Sequence, residues 1–497
     1  MEVPGHPPLT TRNGTAELAL ERRTFLAGAV SAVSLAALAA CTPLKPVPTP
    51  TVTPTPVPVS PVPQPAAFLR SAWATDPFAL GSFSMTPVGA TPADRATLRE
   101  TVAGRVFLAG EAASSEYPGT VIGAATSGAA VAERLAALAE PDERIAVIGA
   151  GLAGATAARA LADAGFDVVV IEARDRVGGR IDTRDEAGWP FPVELGAASV
   201  SGDGLDDLLL ENDVDTLRLD ASREIRTAEG ATVPPSTTGP DAVAAAVAWA
   251  EAQPADSSLA SALSASGASE LSTEPAADGV SPSDELTHYL DTTIASRYGA
   301  NAFRLSGSYG LDKAGLVDGT GLIVGGLATV VTNAIDDLDV LLSATVIRIA
   351  YDDEGVSLRL GTGESLSIDR VVVTAPIGVL QAGTIEFDPP LPDAVQSAIE
   401  AIGMGTLEQL WLRFDEPFWS TEATVLSVID ETSEIAEWIN LLPSTGQPIL
   451  IGLTAADDVP VAGKQSDADF IQAALVSLEP FVDESLRATA TPTASAG

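Results

Sequence analysis

The sequence predicts an α/β fold, a Rossmann-like domain joined to a second domain of mixed α+β structure. Three observations carry that expectation. Residues 145–150 (IAVIGA) form an apolar run of strand length, rich in β-branched side chains. The run enters the glycine-rich stretch 149–154 (GAGLAG), and an alanine-rich helical segment follows to about residue 164. A second β-branched run, 167–172 (DVVVIE), completes a strand–helix–strand unit of the kind that builds parallel sheets.

Each part of this unit has a chemical purpose. Gly149 permits the tight turn out of the first strand, Gly151 lets a pyrophosphate approach the backbone, and Gly154 lets helix and strand pack closely. The free N–H groups and positive dipole end of the helix attract the phosphates. Glu172 lies 172 − 149 = 23 residues past the first glycine, where an acidic side chain accepts hydrogen bonds from ribose hydroxyls. A glycine pattern alone is weak evidence. Its coincidence with two strands, a helix and the acid is strong.

The 497 residues suffice for two or three domains, and with 46% hydrophobic residues most of the chain should be globular. Lysine and arginine number 27 against 67 acidic residues, a formal charge of −40 that disfavours a nucleic-acid partner. The single cysteine (Cys41) and two histidines (His6, His288) cannot build a disulfide framework, a zinc site or a Cys/His nucleophile pair. His288 is expected to be an ordinary surface or packing residue. The chemistry must then come from a cofactor.

Residues 1–41 read as an address. Arg22-Arg23-Thr24-Phe25-Leu26 resembles the twin-arginine export signature, and the apolar stretch 27–40 is too short for a comfortable membrane span but fits a signal core. It ends in Leu38-Ala39-Ala40-Cys41, which resembles a lipobox, so Cys41 is the expected lipidation site. The implied location is exported and lipid-anchored to the outer face of the cell membrane, with no other membrane contact. Residues 42–66, dense in proline and threonine, are expected to run as an extended polyproline spacer.

The run 172–180 (EARDRVGGR) resembles the flavin amine oxidase extension of the dinucleotide fingerprint, and 192–198 (PVELGAA) resembles that family's segment beside the flavin ring. The resemblance implies FAD, with Arg174, Gly179 and Arg180 contacting the cofactor and Gly196 and Ala197 beside its ring. Where the family often has serine and an aromatic, this chain has Ala198 and Ser199.

Two further matches stand in an unexpected place. The segments 73–84 (WATDPFALGSFS) and 104–128 (GRVFLAGEAASSEYPGTVIGAATSG) resemble motifs near the family's C-terminus, yet both precede the dinucleotide strand. The expectation is a circularly permuted chain, with the old ends joined at about 138–144 and with Phe68 and Phe481 close in space. In the order of the resemblance, Gly110 and Glu111 lie near the ribityl chain. Thr120 and Val121 open a helix facing the pyrimidine end of the flavin, and Val346 is a backbone contact on the adenine side. Phe83 and Thr120 match the two walls of an aromatic-sandwich position, and Trp73 matches a tryptophan near the ring. Ser82 stands where some relatives attach FAD through cysteine, so FAD is expected to be bound non-covalently.

The segment 403–419 (GMGTLEQLWLRFDEPFW) departs from the family at Gln409, where relatives usually carry a lysine that assists the reaction with oxygen. Glutamine can hydrogen-bond a water but brings no charge to superoxide-like species.

The domain expectation is an FAD-binding domain from 67–215 and 316–380, a substrate domain from 216–315 and 381–485, and a tail over 486–497. The segment 255–282, rich in Ser, Ala and Gly, is expected to be a mobile surface loop. The expected function is FAD-dependent oxidation of a primary or secondary amine by hydride transfer to flavin N5, with O2 reoxidation giving H2O2. Gln409, Phe83, Trp73 and Thr120 stand at the reaction centre. The alternatives are a flavin dehydrogenase or desaturase with another acceptor, or a flavin-binding module without turnover.

Overall fold

A computed structural model describes residues 60–200, 205–311, 321–430, 433–459 and 463–483. The export signature, Cys41, residues 42–59 of the spacer and the tail lie outside the described residues.

The dinucleotide unit forms as its sequence requires. Strands Asp339–Leu341, Asp167–Ile171, Arg144–Ile148, Arg370–Val373 and Val106–Leu108 make one five-stranded sheet in that order, every pair parallel. Their near-continuous apolar runs are those of strands covered on both faces. On one face, Phe107, Val147, Val170 and Val372 pack against helices Val121–Ala136 and Leu152–Asp163. On the other, Leu108, Ile148, Ile171 and Val373 pack against Val346, Ile349, Leu358 and Leu360 of a four-stranded sheet. Helix Val121–Ala136 returns the chain from strand Val106–Leu108 so that Arg144–Ile148 can begin at the same edge. Arg370 secures that return, bonding the Glu143 carboxylate and donating to the Leu138 carbonyl at 2.9 Å.

A second sheet has seven strands, in the order Ala67–Arg70, Leu407–Arg413, Ile449–Ala455, Glu437–Asn440, Val425–Ile429, Arg223–Thr227 and Thr232–Val233. One face carries Leu410, Leu412, Leu426, Val428, Trp438 and Leu450 against helix Asp467–Val476. The opposite face carries Gln409, Ile451, Leu453, Glu437, Ile439, Val425 and Arg223. These alternate with the first set as strand periodicity demands. This second face is the floor of the functional cavity.

Three expectations change. Strand Ala67–Arg70 joins the seven-stranded sheet by pairing with Leu407–Arg413, so the parallel sheet draws nothing from residues 67–105. The spacer ends before residue 66: Val62 is 2% exposed in the core beneath helix Asp467–Val476, and the Ser60 hydroxyl donates to the Leu475 carbonyl. Burial of the Val62 side chain ties this end of the spacer to the core. Residues 255–282 also hold more order than their composition suggests. They contain helix Leu259–Ala265, capped by the Ser258 side chain and buried through Leu259, Ala262 and Leu263. Among the described residues, no helix is long and apolar enough to cross a membrane.

Candidate active site

The site begins at the glycine turn. Gly149 has φ +100°, a backbone state open to glycine and strained for other residues. A Cβ on Gly154 would lie 1.9 Å from the Gly149 carbonyl oxygen, so helix Leu152–Asp163 can approach the strand only if residue 154 lacks a side chain. Glu172, at the end of the next strand, accepts from the Ala150 N–H at 2.7 Å through one oxygen and from the Arg174 N–H at 2.8 Å through the other. It both braces the turn and faces the cavity. No side chain caps the helix N-terminus at Gly151, and Leu152 and Ala153 line the cavity. The positive end of the helix dipole is therefore directed at the space where a diphosphate fits.

A cavity of about 1200 Å³ runs from this turn in two directions. Towards one end it is lined by Ala344, Thr345 and Val346 beside Glu172. Towards the other it passes Gly178, Gly179, Arg180, Gly110, Glu111, Thr120 and Val121 to Trp73, Phe83, Gly196, Ala197 and Gln409. Every site residue expected from the sequence lines this one cavity except two: Gly154, which packs just beneath it, and Cys41, which lies outside the described residues. An elongated dinucleotide matches the donor set: a helix N-terminus at the middle, an acid at one end and a flat, largely apolar chamber at the other.

Burial and charge fix the middle of the cavity. Arg180 donates to the Glu111 carboxylate at 2.8 Å and to the Ser82 carbonyl at 3.1 Å. Glu111 also accepts from the Ser84 N–H (3.1 Å), the Ser84 hydroxyl (2.6 Å) and the Gly119 N–H (2.8 Å). Burial pushes the Glu111 carboxyl up, but Arg180 and the Ser84 hydrogen bond outweigh it and hold the group below the usual carboxylate range. Arg95, itself buried, completes the network by donating to the Ser84 hydroxyl at 2.8 Å and the Ala112 carbonyl at 2.9 Å. Nothing in its sequence context marks Arg95, because its partners come from a strand and a turn on either side. Arg174 lies in the cavity wall with its guanidinium on Asp76 at 2.7 Å and over the Phe78 ring.

At the chamber end, the Trp73 indole donates to the Leu195 carbonyl at 2.8 Å, fixing the ring beside Gly196. Glu408 bonds the Ser71 hydroxyl and accepts from the Ala74 N–H at 2.8 Å, so the loop carrying Trp73 is tied on both sides of that residue. Phe83 lies against Gly119, next to Thr120. The Thr120 hydroxyl is committed to the helix cap, accepting from the Gly123 N–H at 3.0 Å and donating to the Tyr117 carbonyl at 2.8 Å. The Ser82 hydroxyl exchanges bonds with the Leu407 backbone, at 2.7 and 2.8 Å. Gln409 is held at both ends of its amide: Nε2 donates to the Gly196 carbonyl at 2.8 Å, and Oε1 accepts from the Trp411 indole at 2.9 Å.

Beyond Gln409 the chamber continues over the sheet floor to charged residues that no sequence motif marked. Asp220 Oδ1 bonds the hydroxyls of Ser222 and Thr424, the latter at 2.7 Å, and accepts from the Ser222 N–H at 2.9 Å. The hydrogen bonds from Ser222, then Thr424, hold its carboxyl below the usual carboxylate range. Arg223 and Glu437 form an ion pair on the same floor. Helical residues Thr293, Ser296, Arg297 and Tyr298 also line the cavity, and the Tyr298 carbonyl lies against Gly405, which pairs with Phe83. The π turn Leu290–Ile294, which contains Thr293, re-phases that helix just before Ser296, Arg297 and Tyr298. His288, on the same helical segment, is not in the wall. It bonds the buried Ser427 hydroxyl at 2.8 Å, and burial with the nearby Arg223 lowers its pKa to about 4.

Fold and cavity together define a dinucleotide-dependent oxidoreductase in which Trp73, Phe83, Gly196 and Gln409 would surround the cofactor ring. Comparison with known proteins names the family. The family model described as flavin containing amine oxidoreductase matches residues 51–136 and 242–492, and an NAD(P)-binding Rossmann-like domain model matches 147–207. Polyamine oxidase 2 of Arabidopsis thaliana is 30% identical over 69% of this chain and 73% of its own length. Polyamine oxidase 4 of Oryza sativa subsp. japonica is 27% identical over 69% and 74%. A solved putrescine oxidase structure, bound to putrescine, superposes with a TM-score of 0.54 at 21% identity, covering 69% of this chain and 82% of that one. The chain belongs to the flavin-containing amine oxidoreductases, and FAD is its cofactor.

Proposed function

We propose that this enzyme oxidises a diamine or polyamine, binding the reacting amine beside the flavin and a distal ammonium at Asp220. The observation that carries this reading is the continuity of one cavity from the glycine turn, past Gln409, to a carboxylate held open at the far end. The polyamine and putrescine oxidases among its relatives support the same substrate class.

The chemistry FAD supplies when bound is two-electron oxidation: hydride leaves the carbon next to nitrogen, water hydrolyses the resulting imine, and O2 takes the electrons to give H2O2. The chain's own residues do the rest. Trp73 and Phe83 form apolar walls that exclude water and favour a neutral reacting nitrogen. Thr120 caps the helix whose N–H groups stabilise negative charge at the pyrimidine end. Gln409, anchored through Gly196 and Trp411, presents a fixed dipole in place of a mobile charge. With serine at 82 and the single cysteine at 41, the cofactor is held non-covalently.

The neutral Gln409 favours a second reading for the acceptor. Lacking a cation, the site reacts slowly with O2, and another electron acceptor takes over. Stopped-flow comparison of reoxidation by O2 and by an artificial dye separates the two. Anaerobic reduction of the flavin by 1,4-diaminobutane tests the function itself.

We further infer a permuted chain order and an exported, lipid-anchored protein. The first is supported by the ion pair of Arg70 with Asp467 at 3.0 Å and by the packing of Val62 with Phe481, which bring the two ends of the folded chain together. The second rests on the export signature and Cys41 alone. Metabolic labelling with a radioactive fatty acid, in intact protein and in Cys41→Ser, tests it.

A further inference from the structure

The floor of the amine chamber carries its charges in an ordered way. Gln409, Leu453 and Glu437 stand directly opposite one another on three adjacent strands. With strands about 4.8 Å apart, Glu437 stands about 10 Å from Gln409, backbone to backbone. Arg223, Val425 and Ile439 form the next row on the same face. Arg223 therefore reaches Glu437 diagonally across strand Val425–Ile429, and its guanidinium bonds the Glu437 carboxylate inside the chamber. Asp220, three residues before Arg223, has one oxygen filled by Ser222 and Thr424. Among the described residues its Oδ2 accepts no hydrogen bond. Arg297, stacked over Tyr298, is a second guanidinium in the cavity lining.

A chamber for cationic amines thus contains two carboxylates at its far end, one open and one neutralised by an arginine. We propose that Arg223 is a specificity-determining residue: by occupying Glu437 it leaves Asp220 as the open anchor of this charged cluster, and so selects amines with one distal cation over those with two. The inference rests on the amine-oxidising function proposed above. A diamine places its one remaining ammonium at Asp220. A triamine brings a further ammonium towards Glu437, where it must displace Arg223 or meet no unpaired negative charge.

The test uses the FAD-loaded full chain and compares kcat/KM for spermidine, a triamine, with that for 1,4-diaminobutane. Arg223→Gln frees Glu437 and should raise the spermidine/diaminobutane ratio about fivefold, roughly the contribution of one additional ion pair. Arg223→Lys keeps the charge and the pairing and should return the ratio to that of the unmodified enzyme. Glu437→Gln, which leaves Arg223 unneutralised, should move the ratio the other way. If Arg223→Gln alters both substrates equally or neither, Arg223 does not set specificity. If that variant fails to retain FAD, the Glu437→Gln ratio decides alone: a fall supports the proposal and no change overturns it. Failure of any amine to reduce the flavin in the unmodified enzyme would count against the proposed function, a separate outcome.

Discussion

The Trp411 indole N–H donates to Gln409 Oε1 at 2.9 Å, and with the Gly196 carbonyl on the amide nitrogen this fixes which way the glutamine faces the flavin end of the cavity. A lysine at 409 could not accept that indole hydrogen bond, since an ammonium has no acceptor. The departure from the family at Gln409 is therefore integrated into the packing: Trp411 is fully buried and edge-on to Trp189. Trp411→Phe should cost about 1 kcal/mol of stability. It should change flavin reoxidation by O2 more than anaerobic reduction, as stopped-flow absorbance resolves.

Gln409→Lys should raise the second-order rate of reoxidation by O2 at least about tenfold, since a cation there stabilises developing negative charge on oxygen. The reductive half-reaction should change far less. An unchanged reoxidation rate would mean that access or ring geometry, not charge, limits the reaction with oxygen.

Gly154→Ala places a Cβ where only 1.9 Å separates it from the Gly149 oxygen, so the turn that receives the diphosphate must open. The variant should purify with little FAD and bind added cofactor about 100-fold or more weakly. Flavin fluorescence quenching on titration measures it.

Asp220→Asn removes the open carboxylate while keeping the shape of the side chain. KM for 1,4-diaminobutane should rise about two- to fivefold, with little change for butylamine. The pH dependence follows from the same geometry. The reacting nitrogen must be neutral and the distal one protonated, so kcat/KM for the diamine should be bell-shaped, whereas the monoamine should show only a rising limb. Because hydrogen bonds hold the Asp220 carboxyl below its ordinary range, its charge does not limit either profile near neutral pH.

His288 contributes a pH-dependent stability. Its folded pKa of about 4 lies below the ordinary histidine value of 6.5, so the unfolded chain binds the extra proton between those values. Stability from this group is fully present above pH 6.5 and is lost as pH falls towards 4, at most about 3 kcal/mol. His288→Gln, which can keep the bond to Ser427, should flatten the melting temperature over that window.

The sequence was most informative where function is local. Residues 145–172 form one strand–helix–strand unit, and its glycines and Glu172 carry their geometric reasons in their spacing, so the dinucleotide half of the cavity was legible. Trp73, Phe83 and Gln409 were legible through resemblance, although their convergence depends on strands far apart in the chain. Asp220, Arg223 and Glu437 were not. They meet only because Arg223–Thr227 pairs with Val425–Ile429 and that strand with Glu437–Asn440, and no local pattern encodes this register. Arg95 was hidden for the same reason. In 255–282, small polar residues suggested a loop, but three buried side chains in one short helix were enough to order its first part.

One cavity that holds FAD and, beside it, an amine with a distal cation must pass electrons from that amine to the flavin. Anaerobic titration of the purified, FAD-loaded protein with 1,4-diaminobutane measures that transfer. Complete loss of the oxidised flavin absorbance is the predicted result. A protein that refuses added FAD, or a bound flavin that stays oxidised with every amine offered, would contradict it.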